Sequence, residues 1–378
     1  MDFALSKEQK LIQKIASEFA QKYVEPIAEK IDQENFIPEE IIKTLGELGL
    51  LGVPFAEEYG GSDAGYQSYV LALEQIAKCS AGVGVTIGAS TLGLGAIDKF
   101  GTEEQKQKYM PPVCRGEQLA SFAFTEPGTG SDPKQIQATA QKEGNYYILN
   151  GTKRFITNAS YEGPIVVFAR DTETSNISAF IVEKFCEGYS ASEPWKKLSA
   201  RGGKLVDAYL NNVRIPQENL LGEKGQGFAI LLASIALGKI GTSTCSLGDT
   251  LAAYEEAVKY SKEKLHRDQP IARFQAIQLK IADLAIKYET ARWICYRLGY
   301  LADTMKDAGQ FAKEAALVKS YLGDNAVDAA RIAMEIHGSY GIMEDYKISR
   351  IYKDAILGSQ IEGVSDMQKL IVASNILK

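Results

Sequence analysis

Three stretches of this chain combine residue types that do chemistry. In Gln360-Ile361-Glu362-Gly363-Val364 a carboxylate stands beside glycine between apolar residues. That setting suits a buried general base whose proton affinity is raised by desolvation, although a surface glutamate at a helix break has the same local sequence. In Thr125-Glu126-Pro127-Gly128-Thr129-Gly130-Ser131-Asp132 turn residues are at their densest. Gly128 and Gly130 let the backbone approach a ligand closely, and Thr125 and Ser131 offer hydroxyls beside exposed N–H groups. Such a loop can hold an anionic or heterocyclic cofactor, or simply join a helical region to a sheet. It is not a GxxxxGK[ST] phosphate loop, so nucleotide hydrolysis loses its usual support. The third stretch, Phe155-Ile156-Thr157-Asn158, sets an aromatic ring and a hydroxyl at a strand end. The pair could flank a planar ring system, or be a core phenylalanine with a polar strand terminus.

The elements that must position these residues read as helical, then β, then helical. Leu11, Ile12, Ile15, Phe19 and Tyr23 recur at helical spacing behind Ser6-Lys7-Glu8-Gln9, which has the form of a capping box. A second helix is expected from Pro38, with Ile41, Ile42, Leu45 and Leu48 on one face, and others over 69–78 and 103–110. After Pro111-Pro112 the pattern changes. The run from Tyr146 to Ile156 predicts a hairpin closed by a type I′ turn at Asn150-Gly151. Further strands are expected at 165–169, 179–182 and 208–210. From Phe228 onward strands disappear, and amphipathic helices are expected over 248–263, 274–302 and 311–337. The fold class is therefore α+β, with an N-terminal helical domain (1–118), a middle β-barrel or sandwich-like domain (119–226) and a C-terminal four-helix bundle (227–378).

Composition narrows the function classes. The 378 residues are 45% hydrophobic and 24% charged, which is ordinary for globular domains. A net charge of −6 argues against nucleic acid as a partner. The most apolar stretch, around 228–237, reads as too short to span a bilayer, and Met1–Glu8 lacks the basic start and apolar run of a signal peptide. Five scattered cysteines fit reduced thiols in the cytoplasm better than a disulfide framework. Only two histidines are present, His266 and His337, and neither has a neighbour at metal-ligand spacing, so no metal site is expected.

Together, in order and over essentially the whole length, these segments resemble the acyl-CoA dehydrogenases, flavoproteins that desaturate acyl thioesters. The resemblance is carried by Tyr59-Gly60-Gly61, Phe124–Asp132, Leu149-Asn150-Gly151-Thr152-Lys153 and Phe155–Asn158. It continues through Asn212-Val213-Arg214-Ile215-Pro216, Asn219-Leu220-Leu221-Gly222, Pro270-Ile271 with Phe274-Gln275, and Ile361-Glu362-Gly363. It implies FAD between the β domain and the C-terminal helices of a homotetramer, completed by a neighbouring subunit. Phe122, Phe124, Thr125, Gly130, Ser131, Phe155, Ile156 and Thr157 would hold the flavin, with Phe155 where the family usually has Trp. Lys264, Arg267, Gln275, Gly338, Ser339, Ser365 and Asp366 would complete the cofactor site. Ser131, Lys239 and Gly363 would face the substrate. Glu362 matches the family's base. It would take the thioester's α-proton as hydride leaves the β-carbon for the flavin, the carbonyl oxygen being held by the Glu362 N–H and a ribityl hydroxyl.

The chain departs from the family pattern at defined places. The neighbour-subunit motif Arg-x-x-Phe-Gly reads Lys264-Leu265-His266-Arg267-Asp268, and Gln-x-x-Gly-Gly-x-Gly reads Glu335-Ile336-His337-Gly338-Ser339-Tyr340-Gly341. Lysine lacks the bidentate fork that suits a pyrophosphate, so an altered AMP end is expected. The usual Thr after Glu-Gly is Val364. The family's Asp-x-x-Arg, which contacts CoA, is Ala236-Leu237-Gly238-Lys239, so the acyl group would arrive on CoA or on an acyl carrier protein. Gly238 also excludes the subgroup whose base lies on this helix. Electrons would pass to an electron-transfer flavoprotein. The competing readings are an oxygen-using oxidase and a non-catalytic subunit that completes a paralogue's FAD site.

Overall fold

The computed structural model describes residues 4–377, so the reading made on Met1–Glu8 rests partly on residues outside that range. Helix α1 (Lys7–Phe19) starts at the expected capping box: Ser6 Oγ accepts from the Gln9 N–H and Gln9 Oε1 accepts from the Ser6 N–H. There follow α2 (Ala28–Glu34), α3 (Glu39–Glu47), α4 (Gly65–Ala77), α5 (Ala81–Phe100) and α6 (Glu103–Cys114). Pro38 caps α3 and Ile41, Ile42 and Leu45 are buried, while Leu48 lies outside. Helix α6 runs on through Pro111 and Pro112, whose carbonyls accept from the Arg115 and Glu117 N–H groups. Helix α5 falls where no helix was expected, and it forms a wall of the site.

The middle region is one eight-stranded sheet: β1 (Ser121–Ala123), β2 (Thr139–Glu143), β3 (Tyr146–Thr157), β4 (Pro164–Asp171), β5 (Ile177–Glu183), β6 (Tyr189–Ala191), β7 (Leu205–Pro216) and β8 (Leu220–Leu221). Its order is β6-β7-β3-β2-β4-β5-β8, with β1 lying parallel on β4. Strands β4 and β5 are buried almost throughout, as their unbroken apolar runs require. The expected turn at Asn150-Gly151 is absent. Strand β3 passes straight through these residues, and its pairing with β7 slips there in a bulge. Asn150 exchanges side-chain and backbone hydrogen bonds with Asn212, and a Cβ at Gly151 would stand 2.6 Å from Ala138 Cβ. The hairpin turn lies instead at Gly144-Asn145, between the paired Glu143 and Tyr146.

Helix α7 (Gly227–Glu263) begins well before the expected Gly248. A two-strand hairpin, β9 (Leu265–His266) with β10 (Gln269–Pro270), interrupts the helical region before α8 (Gln275–Thr304) and α9 (Ala308–His337). The chain ends in α10 (Lys347–Ala355), α11 (Leu357–Gln360) and α12 (Ser365–Ile376). Helix α7 packs against α9, α8, α5 and α4, tying the two helical regions together. By length and apolarity α5 and α7 would suffice to cross a membrane, contrary to the sequence estimate. Both are mostly buried inside the fold, as core helices are. All five cysteines are free thiols.

Candidate active site

A cavity of about 480 Å³ opens where sheet meets bundle. Helix α5 contributes Val85, Ala89 and Leu92, and α7 contributes Gly241, Thr242 and Cys245. From β1 and the loop after it come Phe122, Phe124, Thr125, Gly130 and Ser131, and from the end of β3 come Phe155, Ile156 and Thr157. The turn between α11 and α12 closes the cavity with Glu362 and Gly363. The three stretches singled out by residue type thus meet at one place.

Each is held by identifiable interactions. The glycine loop is anchored by Glu126, whose buried carboxylate accepts from Lys153 Nζ at 2.7 Å and from the Gln137 and Ala138 N–H groups at 2.7 and 3.0 Å. Lys153 is wholly enclosed; burial pulls its pKa down to about 8, with the Glu126 carboxylate only partly offsetting that desolvation. The loop is further tied to β3 by the Arg154 N–H donating to Thr125 O at 2.8 Å. Phe155 sits at a bulge with φ of 59°, a left-handed conformation that a bulky side chain rarely adopts. Asp207 fixes it there, accepting from the Arg154 guanidinium, the Trp195 indole N–H and the Phe155 N–H. The Phe155 ring is 52% exposed and edge-on to Trp195 at 5.6 Å.

Glu362 and Gly363 also take left-handed φ values, 51° and 84°. Gln368 Nε2 donates to both their carbonyls, at 3.3 and 2.9 Å, and Lys319 Nζ donates to Gly363 O. The strained turn turns the Glu362 side chain inward, where Oε2 is buried without a protein hydrogen-bond partner. Room for it exists because residue 238 is glycine: a Cβ there would stand 3.1 Å from that oxygen. Desolvation raises the Glu362 pKa above the usual carboxylate range, and the Thr242 hydroxyl, Lys319 and Lys239 pull it partly back. Lys319 and Lys239 are themselves buried, 1% and 4% exposed, and desolvation lowers each to about 8.

The other expected site residues do not line the cavity. Lys239 is enclosed beside Glu362, and Ala236 is buried as well, so this segment does not present a handle to a CoA moiety. Ser365 is buried and donates to Asp324 Oδ1 at 2.9 Å, while Asp366 points into solvent near Lys369. Lys264, Arg267, Gln275, Gly338 and Ser339 line no part of this chain's cavity. They lie on the bundle surface, with Lys264 Nζ over the Tyr340 ring at 4.3 Å. Arg267 and Asp268, both at positive φ, form the two-residue turn of the β9–β10 hairpin. Glu335, in place of the family's Gln, is paired with Lys280 and Arg331. His337 is buried, stacked on Tyr260 at 4.0 Å.

Sequence reasoning missed Lys319, Thr242, Leu92 and Trp195. A signal existed for Lys319, the one charge on the buried stripe of α9 formed by Phe311, Ala315, Val318, Leu322 and Ala326. Among the described residues no cluster of His, Cys, Asp and Glu could hold a metal. Aromatic rings flanked by hydroxyls, facing one partnerless buried carboxylate oxygen, fit a flavin ring and its ribityl chain.

Comparison with known proteins agrees over the full chain. Residues 6–117, 121–213 and 225–377 match the N-terminal, middle and C-terminal domains of acyl-CoA dehydrogenase. A 3-(aryl)acrylate reductase of Clostridium sporogenes is 38% identical, covering 99% of both chains. A short-chain specific acyl-CoA dehydrogenase of Clostridium acetobutylicum is 36% identical over 100% of both. Among solved structures, butyryl-CoA dehydrogenase from Megasphaera elsdenii superimposes with a TM-score of 0.96 at 33% identity, covering 100% of both chains. A chain described with the electron transferring flavoprotein of Acidaminococcus fermentans gives 0.96 at 36%, again over 100% of both. An acyl-CoA dehydrogenase complexed with FAD from Bacillus anthracis gives 0.91 at 33%, over 99% of this chain and 67% of the other. By sequence, by fold and by a carboxylate set into the seam between sheet and bundle, this chain belongs to the acyl-CoA dehydrogenase family of oxidoreductases.

Proposed function

We propose that this protein is an FAD-dependent enzyme that oxidises acyl-CoA thioesters by α,β-desaturation, with Glu362 as the base. The observation that carries the reading is the buried, partnerless Oε2 of Glu362 in the cavity lined by Phe122, Phe124, Phe155 and the Thr125–Ser131 loop. The chemistry that bound FAD supplies is two-electron oxidation, by accepting a hydride from the substrate's β-carbon. Phe122, Phe124, Phe155 and Thr157 hold the ring system, and Thr125 and Ser131 offer hydroxyls to its polar edge. Glu362 takes the α-proton onto a carboxylate oxygen. Its raised pKa matches it to a weak carbon acid, and Lys239 and Lys319 keep it ionised enough to act. The Glu362 N–H polarises the thioester carbonyl, and enclosure between α5, α7 and the sheet keeps water from the reacting atoms.

CoA is favoured as the carrier. The Ala236–Lys239 departure that suggested a carrier protein lies in the core beside the base, so it does not bear on how the thioester's distal end is gripped. The reading includes an electron-transfer flavoprotein as acceptor, a homotetramer and a cytoplasmic setting, the last supported by five free thiols. The carboxylate in the cavity argues against a non-catalytic partner subunit. Glu362→Gln tests the role of the base: the variant should keep its flavin absorbance yet fail to bleach when acyl-CoA is added under nitrogen. Bleaching at the wild-type rate would mean another group removes the proton.

A further inference from the structure

Beside the cavity lies a small chamber that shares Gly88, Leu92 and Gly241 as walls. Its volume is about 10 Å³, room for one oxygen-sized group. What sets it apart is its polarity. The hydroxyls of Tyr69, Thr91 and Ser234 line it, 2%, 5% and 1% exposed; Ser234 has no protein hydrogen-bond partner, and Tyr69 and Thr91 have at most each other. Buried hydroxyls left short of partners are costly unless something in the chamber satisfies them. The glycines keep the space open: a Cβ at Gly241 would stand 3.1 Å from Tyr69 Oη, and one at Gly95 would stand 3.2 Å from Tyr66 Oη.

Two further features limit what the chamber accepts. No charged side chain lines it, so a tail carboxylate or ammonium would be buried without a counter-ion. Gly238 borders both the chamber and the Glu362 carboxylate, so only a short spacer separates the carbon losing its proton from the chamber. We propose that the site selects a short acyl thioester whose tail ends in a small uncharged hydrogen-bonding group, a hydroxyl or carbonyl oxygen, seated among Tyr69, Thr91 and Ser234. Burial holds both Tyr66 and Tyr69 as neutral phenols, so they remain O–H donors at any working pH. This rests on the dehydrogenase reading and names the substrate class of the same site.

The test pairs 4-hydroxybutyryl-CoA with pentanoyl-CoA, which differ only by hydroxyl against methyl at the tail, on the FAD-loaded enzyme. Anaerobic flavin bleaching gives kcat/KM, and perturbation of the flavin spectrum gives Kd. The expected result is a preference of at least about tenfold for the hydroxylated thioester in both constants, since a site built to pair a hydroxyl rejects the apolar isostere. Thr91→Val and Ser234→Ala, with Tyr69→Phe as a third variant, should each bring the ratio toward one, flavin content reporting that each has folded. Equal constants for the two thioesters, or a ratio that none of the variants moves, overturns the proposal; the hydroxyls would then serve packing or a structural water. Flavin that no acyl thioester bleaches would overturn the dehydrogenase reading, and this inference with it.

Discussion

At the scale of single residues the site depends on a carboxylate placed between opposing influences. Desolvation raises the proton affinity of Glu362, and two buried ammonium groups lower it again. The sign of the pH dependence follows directly. Glu362 acts as a carboxylate, so kcat/KM rises with pH as the group ionises, through a pKa above the ordinary carboxylate range. Lys319→Met removes one of the cations and should move that acid limb to higher pH. Each unit of movement costs about tenfold in kcat/KM on the acid side. The pH profile of flavin bleaching measures this. A merely structural role for Lys319, through its bond to Gly363 O, predicts lower activity at every pH with the limb unmoved.

At the scale of elements, the glycine loop and β3 are joined by the buried Glu126–Lys153 pair, which carries the cofactor-facing hydroxyls of Thr125 and Ser131. Removing one partner leaves the other charge buried and uncompensated, so Glu126→Gln should destabilise the holoenzyme by about 3–5 kcal/mol. The double variant Glu126→Gln/Lys153→Met should recover much of that loss, which urea unfolding would read. The stretches that build this region were legible as motifs because hydroxyls, glycines and an isolated carboxylate mark themselves. The elements around them were less so. Helix α5 escaped because five glycines, each costing about 1 kcal/mol in a helix, flatten its signal. They are there for close packing: a Cβ at Gly82 would meet Arg201 O at 2.0 Å, and one at Gly93 would meet Ser121 O at 2.9 Å. The Asn150-Gly151 turn failed for a related reason, since local turn chemistry yielded to a bulge fixed by Asn212 on β7 and by Ala138 just before β2. In both cases a distant neighbour decides the local structure, and a reading confined to short windows does not contain that neighbour.

At the scale of the whole molecule, the cavity is formed by one chain but some expected cofactor contacts are not in it. Lys264, Arg267, Gln275, Gly338 and Ser339 face outward from the bundle. If they touch FAD, the FAD belongs to another subunit. The surface that would bring a second copy there is visible on α8: Leu279, Ile286, Trp293 and Tyr300 recur every seventh residue, all exposed in the single chain. A heptad stripe along a 30-residue helix, spanning roughly 45 Å, is a seam suited to another helix. If the proposed homotetramer forms, the wild-type protein should elute with about four times its 41.3-kDa chain mass, as judged by light scattering. Leu279→Glu with Ile286→Glu places two charges in that seam and should yield smaller species. If the AMP-end contacts come from the neighbour, the same variant should also lose most of its FAD on gel filtration, although every residue around Glu362 is unchanged. Full flavin retention in a dissociated variant would show instead that each chain holds its cofactor alone, with Lys264 and Arg267 serving only the β9–β10 hairpin.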